Sequence, residues 1–244
     1  MPRFFVTKEQ ITPEGITIFG EDAKHISKVL RAKCGEEITV CDGAGMDYQC
    51  EITAAGETVA TKILSSRSSQ SEPAVEVTLF QGLPKGEKME LILQKCVELG
   101  IHTIVPVATE FSIVKLDKKE EKKIQRWQKI AEAAAKQSGR GRIPSVERVM
   151  NWKEALSAAS QLDGVMIPYE KEQERGLRSF LQDFRGKRTM GIFIGPEGGF
   201  SEQEIVTAQQ TGIVPVTLGK RILRTETAGM TALAIALYEL EEGK

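Results

Sequence analysis

The sequence contains few of the residues from which metal and redox sites are built. Among 244 residues there are two histidines and four cysteines, and no pair of cysteines has the CxxC spacing. This scarcity argues against a zinc site or a multi-histidine metal site. The cysteines are interpreted as reduced structural thiols and not as a disulfide framework. We therefore expect no metal cofactor.

Long apolar runs are also missing. No stretch approaches the roughly 20 residues that a membrane-spanning helix needs, and the N-terminus lacks a signal-peptide pattern. These absences predict a cytoplasmic protein with no membrane partner. Hydrophobic residues make up 41% and charged residues 27% of the chain, which suits a globular protein of one large domain or two smaller ones.

Two nucleotide-binding signatures are absent as well. A Rossmann domain carries GxGxxG after its first strand, whereas the corresponding turn here is Gly82-Leu83-Pro84-Lys85-Gly86. No P-loop occurs anywhere in the chain. A Rossmann-type enzyme and a nucleotide-binding regulatory module are both disfavoured.

The net charge of −1 conceals an uneven distribution. Residues 115–142 contain ten Lys or Arg against four acids, a local charge of +6. A local basic surface can bind phosphates even on a nearly neutral protein. Within this stretch, Lys118–Lys123 is interpreted as an ordinary solvated helix face.

The first 66 residues consist mainly of short β-type segments between turn signals. Strands are predicted at Phe4–Val6, Ile16–Phe19, Glu37–Cys41, Tyr48–Thr53 and Val59–Leu64, with one helix at roughly Glu21–Lys33. A small barrel is the natural architecture for such a unit. The serine-rich Ser65–Pro73 predicts a linker, which places the domains at residues 1–72 and 73–244.

After residue 73, predicted strands and helices alternate, which is typical of an α/β domain with a parallel sheet. The strands are Val75–Gln81, Ile104–Val107, Val146–Met150, Val165–Pro168, Met190–Ile194 and Ile213–Leu218. The helices are Glu87–Leu99, Glu120–Gln137, Trp152–Ala159, Gly176–Phe184, Glu202–Gln210 and Glu226–Leu240.

One glycine-rich loop follows a predicted strand, at Gly195-Pro196-Glu197-Gly198-Gly199. Three glycines permit positive φ angles and a close approach of the backbone to a ligand. Ser201 and Glu204 then fit the capping box of a helix. A plain tight turn is the alternative, but three glycines around an acid exceed what a turn requires.

A second stretch, Leu218–Ala228, lies between the last predicted strand and the last predicted helix. Arg221 and Arg224 are expected to project from a strand-to-helix turn, where open α/β sheets place ligands. Thr225 or Thr227 is expected to cap the helix. An ordinary junction with solvated arginines remains the alternative.

In this order and near the C-terminus, the Gly195–Gly199 and Leu218–Ala228 motifs resemble the SPOUT class of S-adenosylmethionine-dependent methyltransferases. More narrowly, they resemble the bacterial family that methylates N3 of a uridine in 16S (small-subunit) ribosomal RNA. The resemblance covers essentially the whole chain. It implies a C-terminal SPOUT domain with a trefoil knot, an N-terminal PUA-like RNA-binding barrel and a homodimer. It also implies S-adenosylmethionine as cofactor and 16S ribosomal RNA, within the small ribosomal subunit, as partner.

The resemblance also suggests roles for individual residues. Arg224 or Arg221 would stabilise negative charge on the uracil oxygens, and Glu197 or Glu226 would accept or relay the N3 proton. The cofactor-binding candidates are Ile194, Gly195, Pro196, Glu197, Gly198, Gly199, Leu218, Gly219, Arg221, Ile222, Leu223, Thr227 and Ala228. The RNA-binding candidates are Lys24, Lys28, Arg31, Lys85, Lys88, Arg140, Arg142 and Arg221.

Two alternatives remain open from the residues alone. A solvated turn explains Lys85 and Lys88 equally well. The protein could also be a ribosome-binding factor that has lost methyl transfer, although the intact glycine loops argue against that.

Overall fold

The computed structural model describes residues 3–112 and 120–241. The chain divides into two compact units. The first unit comprises Met1–Glu72 and Ala135–Ile143, and the second comprises Pro73–Ala134 and Pro144–Lys244. The functional domains 1–72 and 73–244 stay a prediction, from which the compact units differ by the segment 135–143.

The first unit is built on a six-stranded, curled and mostly antiparallel sheet. Its strands are β1 (Arg3–Phe5), β2 (Ile11–Thr12), β3 (Gly15–Ile18), β4 (Glu37–Cys41), β5 (Met46–Ala55) and β6 (Val59–Ser68). They lie in the order β1-β4-β5-β6-β3-β2, with only β1 and β4 paired in parallel. A 3-10 turn (Lys8–Gln10), helix α1 (Gly20–Lys24) and a π-helical turn (His25–Val29) complete the described elements.

The core of this unit follows from the alternation of its strands. Successive side chains on a strand point to opposite faces, so Ile16 and Ile18 of β3 both face inward, as do Ile38 and Val40 of β4. Ile26 closes the core from the π-helical turn. The apolar periodicity therefore specifies which face of each strand is buried.

Two sequence predictions in this unit are wrong. The helix ends at Val29 and not near Lys33, and Arg31 has a left-handed φ of 53°. The serine-rich Ser65–Pro73 is not all linker, because β6 continues to Ser68 and pairs with β5. That ladder satisfies the backbone hydrogen bonds while the polar side chains remain at the surface.

The second unit contains a sheet of seven strands in which every pair is parallel. The strands are β7 (Glu76–Gly82), β8 (Thr103–Ala108), β9 (Ser145–Val146), β10 (Met150–Asn151), β11 (Gly164–Pro168), β12 (Thr189–Ile194) and β13 (Val214–Val216). The helices are α2 (Lys88–Leu99), α3 (Glu120–Ser138, its last turn in the first unit), α4 (Trp152–Ala159), α5 (Leu177–Phe184), α6 (Glu202–Gln210) and α7 (Thr225–Glu241).

This sheet confirms the predicted alternation, with two differences. The predicted strand Val146–Met150 is replaced by two separate two-residue strands, β9 and β10. The strand predicted at Ile213–Leu218 is shortened to Val214–Val216, so most of the second motif lies in a loop.

The order of the strands determines where a ligand crevice forms. The spatial order is β10-β8-β7-β12-β11-β13. The chain leaves β7 towards β8 and β10 and then crosses to β11 on the other side of β7, where β12 fills the place between β7 and β11. Open α/β sheets bind ligands at the carboxyl ends of strands where the order reverses. Phe80 of β7 and Phe193 of β12 stack with their ring centroids 4.4 Å apart. The two strands that flank the expected crevice are therefore firmly packed together.

Candidate active site

The carboxyl ends of β11 and β12 border a cavity of about 450 Å³. Its walls comprise Lys88, Pro168, Glu170, Ile194, Gly195, Pro196, Glu197, Gly198, Gly199, Phe200, Ile222, Leu223, Arg224, Thr225 and Ala228. A second cavity of about 150 Å³ is lined by Pro168, Tyr169, Glu170, Thr217, Leu218, Gly219, Lys220, Arg221, Ile222, Leu223 and Ala228. Five residues line both cavities, so the two form one continuous region.

The structure thus brings the two sequence motifs together. All predicted cofactor-binding residues of the glycine loop, together with Ile222, Leu223 and Ala228, line the larger cavity. Leu218, Gly219 and Arg221 line the smaller one. Thr227 is exposed on α7 and lines neither cavity.

The glycine loop adopts a conformation that glycine alone allows. A Cβ added to Gly195 would lie 2.9 Å from the carbonyl carbon of Gly199, and Gly199 itself has a φ of +70°. A Cβ on Gly82 at the end of β7 would lie 2.6 Å from Cδ of Pro196. The loop is therefore folded on itself and seated directly on β7.

The helix after the loop begins as the sequence predicts. Ser201 Oγ accepts a hydrogen bond from the Glu204 amide at 3.3 Å, and the Glu204 carboxylate accepts one from the Ser201 amide at 2.9 Å. This reciprocal capping box anchors the downstream end of the glycine loop.

Glu197 is engaged within the protein. Its two carboxylate oxygens accept hydrogen bonds from the Lys85 amide at 3.1 and 3.3 Å, and Lys88 Nζ lies 2.8 Å from Oε1. Partial burial alone would raise the pKa of Glu197, but the Lys88 ammonium and the backbone amides hold that pKa below its ordinary value. An ionised carboxylate bound in this way favours a structural role over proton transfer.

Glu226 is the other acid predicted to handle the proton. Its Oε2 atom lies 3.9 Å from Lys88 Nζ and is buried without a hydrogen-bond partner among the described residues. Lys88 therefore lies between two carboxylates. Lys88, which was predicted to contact RNA, is therefore engaged by carboxylates of the protein itself.

The arginines of the second motif have no such partners. Arg221 and Arg224 are exposed, and neither forms an ion pair with any residue in the described ranges 3–112 and 120–241. Arg224 borders the larger cavity and Arg221 the smaller one. Their charge is available to a ligand.

Thr225 does not cap α7 in the predicted way. It is the first residue of that helix, and its hydroxyl donates to the Gly195 carbonyl at 2.6 Å. Its Oγ1 also accepts from Nε2 of the buried Gln81 at 2.9 Å. Sequence reasoning missed Gln81, whose only signal in the sequence is a polar residue at the end of an apolar strand; its full burial and its partner appear only in the structure.

Pro168 and Glu170 were missed as well. Pro168 is the last residue of β11 and Glu170 lies two residues beyond it, and both line both cavities. The rule that ligands gather at the carboxyl ends of parallel strands would have identified this segment. The segment Pro168–Glu170 contains no glycine, so the sequence analysis did not select it as a ligand-binding loop.

The predicted RNA contacts of the first unit have different environments. Lys28 and Arg31 are exposed, and the exposed Lys24 pairs with Glu21 at 2.8 Å. Arg142 is half-buried and donates to the Ala44 carbonyl at 3.2 Å. The basic residues between 113 and 119, including part of Lys118–Lys123, lie outside the described residues.

The environment of Arg140 argues against the RNA contact predicted for it. It is 3% exposed, and its Nη2 lies 2.6 Å from Oε2 of Glu72. A guanidinium buried against a carboxylate inside the unit is not accessible to a phosphate. The structure therefore places Arg140 in an ion pair within the first unit.

The described residues include no cluster of three or more His, Cys, Asp or Glu placed to hold a metal ion. All four cysteines are free, and only Cys34 is exposed.

In the part of the chain that the structure covers, no helix has the length and apolar character that crossing a membrane demands.

Comparison with known proteins agrees with both units. Residues 70–237 match the family model of the RNA methyltransferase domain, and residues 19–63 match that of the RNA methyltransferase PUA domain. The chain is 36% identical to ribosomal RNA small subunit methyltransferase E of Bacillus subtilis (strain 168), covering 99% of this chain and 98% of that protein.

Two solved structures extend the similarity to the fold. One is a ribosomal RNA small subunit methyltransferase E from Neisseria gonorrhoeae bound to S-adenosylmethionine, with 34% identity, a TM-score of 0.80 and 96% of each chain covered. The other is a putative methyltransferase from Legionella pneumophila in complex with the same cofactor, with 31% identity, a TM-score of 0.80 and 96% of each chain covered. By these matches over nearly its whole length, the chain belongs to the SPOUT-class family of ribosomal RNA small subunit methyltransferase E.

Proposed function

We propose that the protein transfers the methyl group of S-adenosylmethionine to N3 of a uridine in 16S ribosomal RNA. The observation that carries the proposal is the meeting of two distant loops at one cavity of about 450 Å³. Arg224 lies on the cavity wall and has no ion-pair partner within residues 3–112 and 120–241. The relatives' names and the cofactor bound in the Neisseria and Legionella structures support the reaction class.

The volume of the larger cavity is in the range of small-molecule sites and suits S-adenosylmethionine. Ligand pockets commonly measure about 300–1,000 Å³. The backbone of Ile194–Gly199 would hold one part of the cofactor and that of Leu218–Leu223 the other. Because a side chain on Gly195 would collide with Gly199, glycine at this position allows the loop to fold tightly beside the cavity. When bound, S-adenosylmethionine supplies an electrophilic methyl group on its sulfonium.

The chemical difficulty lies with the nucleophile. N3 of uridine carries a proton at neutral pH, and its removal places negative charge on the uracil oxygens. We assign to Arg224 the stabilisation of that charge, because its guanidinium borders the cavity and has no ion-pair partner in the described part of the chain. The planar group can donate to two acceptors at once.

Of the two candidate acids, we favour Glu226 as the proton acceptor. Both oxygens of Glu197 already accept hydrogen bonds from the Lys85 amide. Glu226 retains a buried oxygen, Oε2, with no hydrogen-bond partner among the described residues, and this atom lies 3.9 Å from Lys88 Nζ. Glu197 is assigned to holding the glycine loop against Lys88.

RNA is proposed to contact exposed basic residues in each unit. Around the cavities these are Lys85, Lys220 and Arg221, and in the first unit they are Lys24, Lys28 and Arg31. The half-buried Arg142 is proposed as a further contact of the first unit. The trefoil knot, the homodimer, the cytoplasmic location and the small ribosomal subunit as the site of action are proposed on the family resemblance.

A methyl-transfer assay tests the proposal. Small subunits from cells lacking the protein are incubated with the purified enzyme and methyl-labelled S-adenosylmethionine, and the RNA is digested to nucleosides for mass spectrometry. Label is expected in N3-methyluridine. Label in another nucleoside would disprove the N3 assignment, and no label would disprove methyl transfer.

The matched variants are Arg224→Ala and Arg178→Ala, the latter on the exposed face of α5. Loss of one preorganised donor to a developing charge typically lowers the rate by about 10²–10³. We expect that loss for Arg224→Ala in single turnovers at saturating RNA, and no loss for Arg178→Ala. An unchanged saturated rate with weaker RNA binding would assign Arg224 to a phosphate instead.

A further inference from the structure

Gln81 is the penultimate residue of β7, at the strand end that faces the crevice, and the residue is fully buried. Its Nε2 donates to the carbonyl of Gly82 at 3.0 Å and to Oγ1 of Thr225 at 2.9 Å. Thr225 in turn donates to the carbonyl of Gly195 at 2.6 Å. Three segments that are far apart in sequence are joined in this way: the end of β7, the glycine loop and the first turn of α7.

The direction of these hydrogen bonds is fixed by chemistry. A carbonyl oxygen only accepts, so the single hydroxyl proton of Thr225 must go to Gly195. Thr225 Oγ1 must then accept from Gln81, which places the NH₂ group of Gln81 towards Thr225. The Gly82 carbonyl also needs a donor, and the same NH₂ group supplies it.

The neighbouring glycine acts on the same part of the loop. A Cβ on Gly82 would lie 2.6 Å from Cδ and 2.8 Å from N of Pro196. Gln81 therefore holds Gly195 through Thr225, while Gly82 makes room for Pro196. Gly195, Pro196 and Thr225 all line the larger cavity.

We propose that Gln81 is a positioning residue of the cofactor site. Acting through the Thr225 hydroxyl, it fixes the Gly195 carbonyl and with it the conformation in which the glycine loop receives the cofactor. The proposal rests on the proposed function, because it assigns Gln81 to the site of S-adenosylmethionine. A preformed loop binds more tightly because no ordering has to accompany binding.

Isothermal titration of the full-length protein with S-adenosylmethionine tests the proposal. Thr225→Val keeps the shape of the side chain and removes the hydroxyl, whereas Thr225→Ser keeps the hydroxyl. Gln81→Glu keeps the shape and removes both donors. Thr231→Val, on the same helix and half-buried, is the matched control.

An orphaned buried polar group typically costs about 1–3 kcal/mol, which corresponds to roughly 5- to 150-fold in a dissociation constant. We expect weakening in this range for Thr225→Val and Gln81→Glu, and less than about threefold for Thr225→Ser and Thr231→Val. The double variant should bind about as weakly as the weaker single variant, because both changes break one network. In turnover, KM for the cofactor should rise while kcat at saturating cofactor stays the same.

The outcomes separate the two proposals. If the wild type binds and Thr225→Val, folded by circular dichroism, binds equally well, the positioning role is overturned and the proposed function stands. Loss of thermal stability in Thr225→Val without any change in cofactor affinity also overturns it, because the network is then only structural. A wild type that binds no cofactor overturns both.

Discussion

Replacing Arg140 by alanine is expected to destabilise the first unit. The arginine side chain is 4% exposed, and its Nη2 lies 2.6 Å from Oε2 of Glu72, whose side chain is 17% exposed. Removing one partner of a buried ion pair typically costs about 3–5 kcal/mol, because the remaining charge stays buried without its counter-charge. Glu72 also accepts hydrogen bonds from the amides of Gly141 at 2.9 Å and Arg142 at 3.1 Å. Since these two donors remain, we expect a loss near the lower limit, about 3 kcal/mol.

The pH dependence has a defined sign. Burial alone would raise the pKa of Glu72, but the Arg140 guanidinium and the two backbone amides hold it below its ordinary value. A depressed folded-state pKa contributes stability that is fully present above the unfolded value, about 4.3, and is lost as the pH falls through the folded value. The free energies of unfolding of wild type and Arg140→Ala should therefore converge on acidification.

Urea denaturation followed by far-ultraviolet circular dichroism measures the loss, and hydrogen exchange at the Gly141 and Arg142 amides locates it. Both tryptophans, Trp127 and Trp152, belong to the second unit, so their fluorescence serves as an internal control.

Arg142→Ala is the matched variant of the same segment. Among the residues that the structure describes, its guanidinium donates to a carbonyl alone, so its loss should cost less than about 1 kcal/mol. Our reasoning is refuted if Arg140→Ala is no less stable than Arg142→Ala. It is also refuted if Arg140→Ala keeps its stability and weakens RNA binding with a flatter salt dependence, which is the behaviour of a phosphate contact.

Three further predictions concern the cavity. Gly195→Ala places a Cβ 2.9 Å from the carbonyl carbon of Gly199, so calorimetry should show cofactor affinity reduced about tenfold or more; unchanged affinity in a folded variant would remove the loop from the site. Glu197→Gln should leave the pH profile of methyl transfer unshifted, because the depressed pKa of Glu197 keeps it ionised throughout the neutral range. Loss of the acidic limb of the pH–rate profile in this variant would instead identify Glu197 as the general base. Glu226→Gln should slow single-turnover transfer by about 10²–10⁴ at saturating substrates, and a rate equal to wild type would dismiss the proposed acceptor.

The sequence contains strong local signals for much of the second unit. Helices α4 and α6 have the predicted limits, because Asn151 with Glu154 and Ser201 with Glu204 form capping boxes that depend only on residues three positions apart. The apolar runs between such helices predict buried parallel strands. Both glycine-containing motifs of the site are local patterns too, and for that reason they were found.

The failures involve partners that are distant in sequence. Ser65 belongs to a strand because it pairs with Gln49, and nothing in its own polar neighbourhood indicates this. Arg140 is buried because Glu72, 68 positions away, meets it. A single sequence records which residues are charged but not which of them will meet after folding.

In the candidate site, too, the contacts that were not predicted join residues distant in sequence. Glu197 was an attractive proton acceptor because an acid in a glycine loop suggests chemistry. Its partners Lys85 and Lys88 lie 112 and 109 positions away and engage it in a structural interaction. Gln81 and Thr225, 144 positions apart, form a contact that local patterns do not reveal.

The central claim is methylation of a 16S ribosomal RNA uridine at N3, and nucleoside mass spectrometry of that RNA from cells tests it most directly. We expect N3-methyluridine to disappear when the protein is removed, to return when the wild-type chain is restored, and to remain absent or strongly reduced when Arg224→Ala is restored at an equal protein level. An undiminished amount of N3-methyluridine in cells that lack the protein would contradict the account.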